Sequence, residues 1–210
     1  MSTAIWISDH ANWKQLQPTG FEDEKALHDL VEEAPQLLPL SGAPQLAVVG
    51  REVQLGANSA DLIAIEPSGR LAILEIKLAH NAEARRAVVA QVLSYAAYLH
   101  RLEPEDLEGR ILGRHLVQRG YESLLDAVIA TAQDPAFDAT EFDLFLKDNL
   151  ATGRFRLILV LDTVPPDLVQ LVGYLAVVAP ELTLDLISLS AYEIAGTSEN
   201  ASLNWPHPTP

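Results

Sequence analysis

Two carboxylates, Asp61 and Glu75, and the ammonium group of Lys77 are set among apolar residues in the stretch Ser59 to Lys77, SADLIAIEPSGRLAILEIK. Runs rich in Leu, Ile and Ala flank Pro67-Ser68-Gly69, and a three-residue loop ending in glycine is a common hairpin closure, the glycine taking the left-handed position. If Glu66 faces Arg70, Asp61 stands directly opposite Glu75. Facing β-carbons on antiparallel strands lie about 4.5–5.5 Å apart, where like charges destabilise. Period-two alternation puts Lys77 on the face of Asp61 and Glu75 and turns Leu74 and Ile76 away. A hard divalent cation, which takes one or two carboxylates and fills its shell with water and phosphate oxygens, would relieve the repulsion. On an exposed sheet face the same residues would form an ordinary cross-strand salt bridge, and a two-residue loop at Ser68-Gly69 would move Asp61 out of opposition.

Several elements must hold this patch. From Phe21 to about Ala34 the apolar positions Ala26, Leu27, Leu30, Val31 and Ala34 recur at helical spacing, closed by Pro35 or Pro39. The acidic start Glu22-Asp23-Glu24 suits the positive end of that helix's dipole, which gives Glu24 a local capping role. Leu46 to Leu55 reads as a strand, with Gly56 and Asn58 turning it into the hairpin. A helix follows over Asn81 to His100, where Val88, Val92, Tyr95 and Leu99 form a stripe and Gln91 borders the buried face. Residues 101–150 are more polar and read as a helical insertion. Phe155 to Leu161 is a continuous apolar run, as in a strand buried on both faces. A helix from Pro165 to Val178 and a last strand, Leu182 to Leu189, then make a crossover unit that extends the sheet. The expected fold is α/β, a mixed sheet flanked by helices, in one domain with its core over 21–100 and 154–194. Trp6 and Trp13 read as packing aromatics, and the polar, proline-bearing tail from Gly196 is expected to fray.

Composition limits the partners. Net charge is −15, from 14 basic and 29 acidic residues, with the second half the more acidic. This counts against non-specific nucleic-acid binding, which draws its affinity from Lys and Arg on phosphates. The basic clusters are Arg85-Arg86, candidates for nucleic-acid contact, and Arg110, Arg114 and Arg119 in the insertion. Arg110 and Arg114, four apart, read as a solvated helical face. The absence of cysteine excludes disulfides and thiolate metal sites. No apolar run approaches the roughly 20 residues of a membrane span, and the N-terminus lacks signal-peptide regions, so a soluble cytoplasmic protein is expected. There is no phosphate-cradling glycine loop and no nucleophile elbow. The six histidines show no pairing suited to zinc, and His80 reads as a loop residue.

Glu24, Asp61, Glu75-Ile76-Lys77 and Gln91, on a helix, hairpin and helix in that order, resemble the PD-(D/E)XK nuclease superfamily with its restriction-endonuclease-like fold. The chain is most similar to the RecB-like and NucS-like uncharacterised branches. Those show a Glu-x-x-Leu helix followed by Pro-x-Leu-Leu, matched by Glu24 to Leu27 and Pro35 to Leu38, and a Gln-x-x-x-Tyr-Ala helix, matched by Gln91 to Ala96. Ala60 stands where the family name has proline. The resemblance implies that Asp61 and Glu75, helped by the backbone carbonyl of Ile76, ligate Mg²⁺ or Mn²⁺. It implies that Lys77 positions the attacking water and stabilises charge, and that Glu24 and Gln91 orient waters or complete a second metal site. The expected activity is metal-dependent phosphodiester hydrolysis of nucleic acid, DNA first, in repair or defence, with a protein partner or a homodimer compensating for weak binding. The alternative is a non-catalytic interaction module of the same fold that docks through its acidic helical insertion.

Overall fold

The computed structural model describes residues 5–9, 12–78, 82–131 and 137–193, with the backbone alone at 9, 12 and 82–86. The chain forms two compact units, Glu22–Leu189 and a smaller one from Met1–Phe21 with Ser190–Pro210.

The larger unit is built on a five-stranded mixed sheet. Its strands, neighbours in chain order, are β1 (Ala47–Leu55), β2 (Asn58–Ile65), β3 (Leu71–Lys77), β4 (Arg156–Leu161) and β5 (Thr183–Ser188). The first three are antiparallel, and β3–β4 and β4–β5 are parallel. Helix α1 (Glu24–Glu33) packs on β3, and α2 (Ala82–Leu99) packs across β1 to β4. The insertion supplies α3 (Pro104–Asp106), a π-helical turn at Leu107–Leu112, α4 (Gly113–Arg119), α5 (Leu124–Thr131) and α6 (Ala139–Thr152), and α7 (Pro166–Val178) joins β4 to β5. The expected class, a mixed sheet flanked by helices, is thus the observed one.

Strand parity divides the core. Ile63, Ile65, Leu71, Ile73, Leu157 and Leu159 share a cluster with Val88, Val92, Tyr95 and Leu99 of α2 and with Leu112, Leu116, Phe142 and Leu146 of the insertion. The alternate residues Leu62, Ala64, Leu74, Ile76, Ile158 and Val160 are buried outside that cluster, as are Leu27 and Val31 of α1. Burying a Leu or Ile is worth about 1.5–3 kcal/mol. A one-residue slip of β2 would therefore misplace two apolar sets at once.

The hairpin register is the one read from the sequence: Leu62 pairs with Leu74, Ile63 with Ile73, Ala64 with Ala72 and Ile65 with Leu71. At the turn the Glu66 N–H donates to the Arg70 carbonyl (3.0 Å) and the Gly69 N–H to the Glu66 carbonyl (2.9 Å). Gly69 has φ +68°, and a β-carbon there would lie 2.5 Å from the Leu146 nitrogen, so only glycine suits this turn beneath α6.

The apolar run Phe155 to Leu161 conceals a charge. Arg156 is buried, with Nε 3.0 Å from Glu66 and Nη1 3.6 Å from Asp185, and its Nη2 donates to the Ser41 carbonyl (3.0 Å). Glu66 also binds Arg70, so the strand ends far from Lys77 are tied by ions.

In the smaller unit Trp6–Asp9 and Asn12–Gln15 form an antiparallel hairpin, and Gln17–Pro18 pairs with Tyr192–Glu193, a strand beyond the one read as last. Trp6 and Trp13 are 53% and 68% exposed, contrary to the packing role read for them. A two-stranded hairpin has no second layer of its own under which to bury an indole. The tail from Gly196 lies outside the described residues. Among the described residues no helix is long and apolar enough to cross a membrane.

Candidate active site

Lys77, the last residue of β3, gathers three carboxylates. Its Nζ lies 3.2 Å from Glu75 Oε1, 3.3 Å from Glu24 Oε1 and 3.6 Å from Asp61 Oδ2. The paired ladder of β2 and β3 stops at Leu62 and Leu74, and one step further the Asp61 carboxylate accepts the Ile76 N–H at 2.7 Å. A side chain thus takes a main-chain donor that would otherwise be orphaned next to the site. On α1 the cap is Asp23, which accepts the Ala26 N–H. Glu24 is therefore released from capping and turns to the site, where its Oε2 accepts the Leu78 N–H (3.3 Å). One helical turn on, the buried His28 sets Nε2 3.4 Å from Asp61 Oδ2.

The Glu75 side chain is fully enclosed, and neither of its oxygens has a hydrogen-bond partner. Oε1 is within ion-pair distance of Lys77 but lacks hydrogen-bond geometry, so the contact is electrostatic. Burial, then the nearby Asp61 charge, pushes the Glu75 carboxyl up to about 7. Asp61 is affected by burial too, but the contact with His28 and the Ile76 N–H outweigh it and hold its pKa below the ordinary value. For Lys77, burial favours the free amine, yet Asp61, Glu75 and Glu24 together outweigh it and raise the pKa, so the side chain is an ammonium. Burial likewise opposes the imidazolium of His28, and Asp61 overcomes it to raise the pKa. Two neighbouring carboxyls thus have their pKa values driven apart, an arrangement typical of functional sites.

Gln91 reaches this group indirectly. Its Nε2 donates to the Tyr95 hydroxyl (2.6 Å), which donates to the Ser59 carbonyl (2.5 Å), two residues before Asp61. Tyr95 is fully buried, and its hydroxyl is pushed up to about 12 by burial. Tyr95→Phe removes both bonds and leaves the Ser59 carbonyl and the Gln91 amide to find new partners, so a loss of about 1–3 kcal/mol in urea denaturation is expected. An unchanged midpoint would show that the pair is dispensable for holding the strand.

The structure therefore brings Glu24, Asp61 and Glu75 onto the Lys77 nitrogen, presents the Ile76 N–H to Asp61, and sets Gln91 behind Tyr95. The side chains of Arg85 and Arg86, and all of His80, lie outside the described residues. Sequence reasoning missed His28 and the Tyr95 hydroxyl. His28 had a signal, being four residues after Glu24 and so on the same helical face.

Among the described residues no three His, Asp or Glu side chains are grouped to hold a metal ion. The residues nevertheless fit a hard cation that keeps most of its waters: Glu75 offers two buried oxygens without hydrogen bonds, beside a second carboxylate at Asp61.

No family model matches the sequence, and no curated protein matches it. Among solved structures the chain is similar to the crystal structure of a repair endonuclease from Pyrococcus abyssi, at 14% identity and TM-score 0.40 over 82% of this chain. It is similar also to an EndoMS-dsDNA2 complex, at 18% identity and TM-score 0.37 over 87% of this chain. The alignments span 49% of each of those chains, so this chain corresponds to about half their length.

Proposed function

We propose that this chain is a nuclease of the PD-(D/E)XK type that hydrolyses phosphodiester bonds of nucleic acid, DNA first, with Mg²⁺ or Mn²⁺. The observation that supports it most is the enclosed Glu75 carboxylate, bare of hydrogen bonds and beside a Lys77 ammonium that Asp61 and Glu24 also approach. Asp61, Glu75 and the Ile76 carbonyl would hold the ion, with Glu24 able to add a further oxygen. Once bound, such an ion lowers the pKa of its water and polarises the phosphoryl oxygen.

The chain's own groups do the rest. The Lys77 ammonium faces the non-bridging oxygens, where negative charge grows as the water oxygen bonds to phosphorus and the P–O ester bond breaks. Glu24 fixes that ammonium, and His28 with the Ile76 N–H fixes Asp61. Gln91 acts through Tyr95 on the start of β2. A panel of single-stranded, duplex, mismatched and branched DNA, plus RNA, assayed with each metal, tests the reading. Cleavage of at least one substrate is expected with Mg²⁺ or Mn²⁺ and none in EDTA. Intact substrates throughout would leave the chain as an interaction module that keeps the fold.

A further inference from the structure

Two adjoining clefts lie along the open edge of the sheet, over β1. The first, about 700 Å³, is lined by Arg51, Arg114, Gln118 and Arg119 with Glu32 and Glu52. The second, about 430 Å³, is lined by Gln54, Tyr98, Arg110 and Arg114 with Asp106. Four arginines and three acidic residues thus line two clefts that share Arg114, on a chain whose net charge is −15.

The arginines are not equivalent. Arg51 is held by Asp29 and Glu32, Arg119 by Glu32, and Arg110 by Asp106. Arg114 lines both clefts and, among the described residues, has no carboxylate partner. Its Nε donates to the Nε2 of His115 (3.2 Å), a buried ring that burial, then Arg114 and Arg119, keep neutral and able to accept. His115 sits against the irregularity of β1 between Val48 and Gly50. A β-carbon on Gly50 would fall 2.4 Å from a Val53 methyl and 3.5 Å from the His115 ring. The π-helical turn at Leu107–Leu112 carries Arg110 and leads into α4 with Arg114, and such turns recur at functional sites. Sequence spacing alone marks Arg110, Arg114 and Arg119 as a basic cluster but reads Arg110 and Arg114 as a solvated face; the clefts show what that face lines.

The clefts also border the candidate site. Arg51 pairs across the sheet with Leu62, the neighbour of Asp61, and Gln54 pairs with Ser59. One strand spacing, about 4.8 Å, separates these positions from the strand that carries Asp61. Tyr98 is 44% exposed at the second cleft and offers a ring face on which a base can stack.

We infer that the two clefts form one seat for the sugar-phosphate backbone of a nucleic-acid strand, with Arg114 donating to a phosphate through its free guanidinium nitrogens and Tyr98 stacking on a base. The inference rests on the nucleic-acid reading above. It explains how so acidic a chain holds a polyanion: the other arginines are ordered by their own acids, and Arg114 is held ready by a neutral histidine.

Binding of the full chain to a fluorescein-labelled DNA 20-mer, single-stranded or duplex, in EDTA to prevent cleavage, is read by anisotropy over a salt series. Arg114→Ala is expected to weaken binding about tenfold and to reduce the salt slope by about one ion. Arg114→Lys is expected to recover part of the affinity, since it keeps the charge and loses the fork. Tyr98→Ala should weaken single-stranded binding about tenfold. Arg154→Ala, an exposed arginine outside both clefts, should bind as wild type; Arg114 is exposed, and an unchanged Tm certifies its variants. Equal affinity of Arg114→Ala and wild type overturns the inference, as does an absence of DNA binding at low salt. Displacement of the DNA by an acidic peptide of equal charge at equal concentration overturns it in favour of a peptide seat. Arg114-dependent binding without cleavage on any substrate would sink the nuclease reading and leave the seat standing. Cleavage with a KM indifferent to Arg114→Ala would do the reverse.

Discussion

Lys77→Ala is expected to lower kcat about 10²–10³-fold while KM changes little. The ammonium is surrounded by Glu24, Asp61 and Glu75 before substrate arrives, so in the ground state its charge is already answered. Only when charge builds on the phosphoryl oxygens does it gain a new partner, and an interaction made in the transition state alone shows in kcat. Arginine is a poor replacement, because a planar fork cannot occupy the place of a compact ammonium among three carboxylates. Removing Lys77 leaves Asp61 and Glu75 without their shared cation, and Glu75 answers by taking a proton more readily. The assay therefore belongs at saturating Mn²⁺, with circular dichroism to certify the fold. A variant that cleaves as wild type does would remove Lys77 from the chemistry.

How much of this could be read beforehand depends on the distance over which each feature is encoded. The hairpin register follows from Pro67-Ser68-Gly69 and the alternation on either side, information held within nineteen residues, and the structure repeats it from Ile65–Leu71 to Leu62–Leu74, where the ladder ends one step short of Asp61 and Glu75. The strands and helices read from equally local periodicity end within three residues of the observed bounds, whereas the short strands at Trp6–Asp9, Asn12–Gln15 and Tyr192–Glu193 carry no such pattern. Glu24 was ambiguous, because an acidic residue at a helix start has a sufficient local reason to be there; Asp23 turned out to be the cap. The tie between Gln91 and Tyr95 is a one-turn contact, but the Ser59 carbonyl that completes it is 36 positions away. Arg156 of β4, Asp185 of β5 and Glu66, just past the end of β2, meet from three separate stretches of the chain. No local pattern marks that network, and one arginine leaves the run Phe155 to Leu161 with the apolar character of a buried strand. Trp6 and Trp13 failed for another reason: aromatic character predicts burial only where a second layer exists to provide it.

Glu75→Gln is expected to stabilise the fold at pH 8 by up to about 3 kcal/mol and by less than about 1 kcal/mol at pH 5. The sign follows from the raised pKa. In the unfolded chain the carboxyl ionises around 4.5, and in the fold it ionises near 7. The folded state therefore binds the extra proton between those values, and stability is fully present below the lower one and is lost as pH rises through the upper one. Glutamine resembles the protonated acid in shape and never ionises, so the variant escapes the loss, and urea titrations at the two pH values measure the difference. Metal should invert the order. An ion held by Asp61 and Glu75 favours the ionised form and binds only the folded chain, which adds about 4.1 kcal/mol at a thousand times its Kd, more than the deficit it has to overcome. Wild type should thus gain Tm on adding Mn²⁺ at pH 8, whereas Glu75→Gln should gain little. Should the glutamine variant be the less stable at pH 8 without metal, burial of the bare carboxylate is not what sets its pKa. Should both proteins respond equally to Mn²⁺, the ion is held elsewhere.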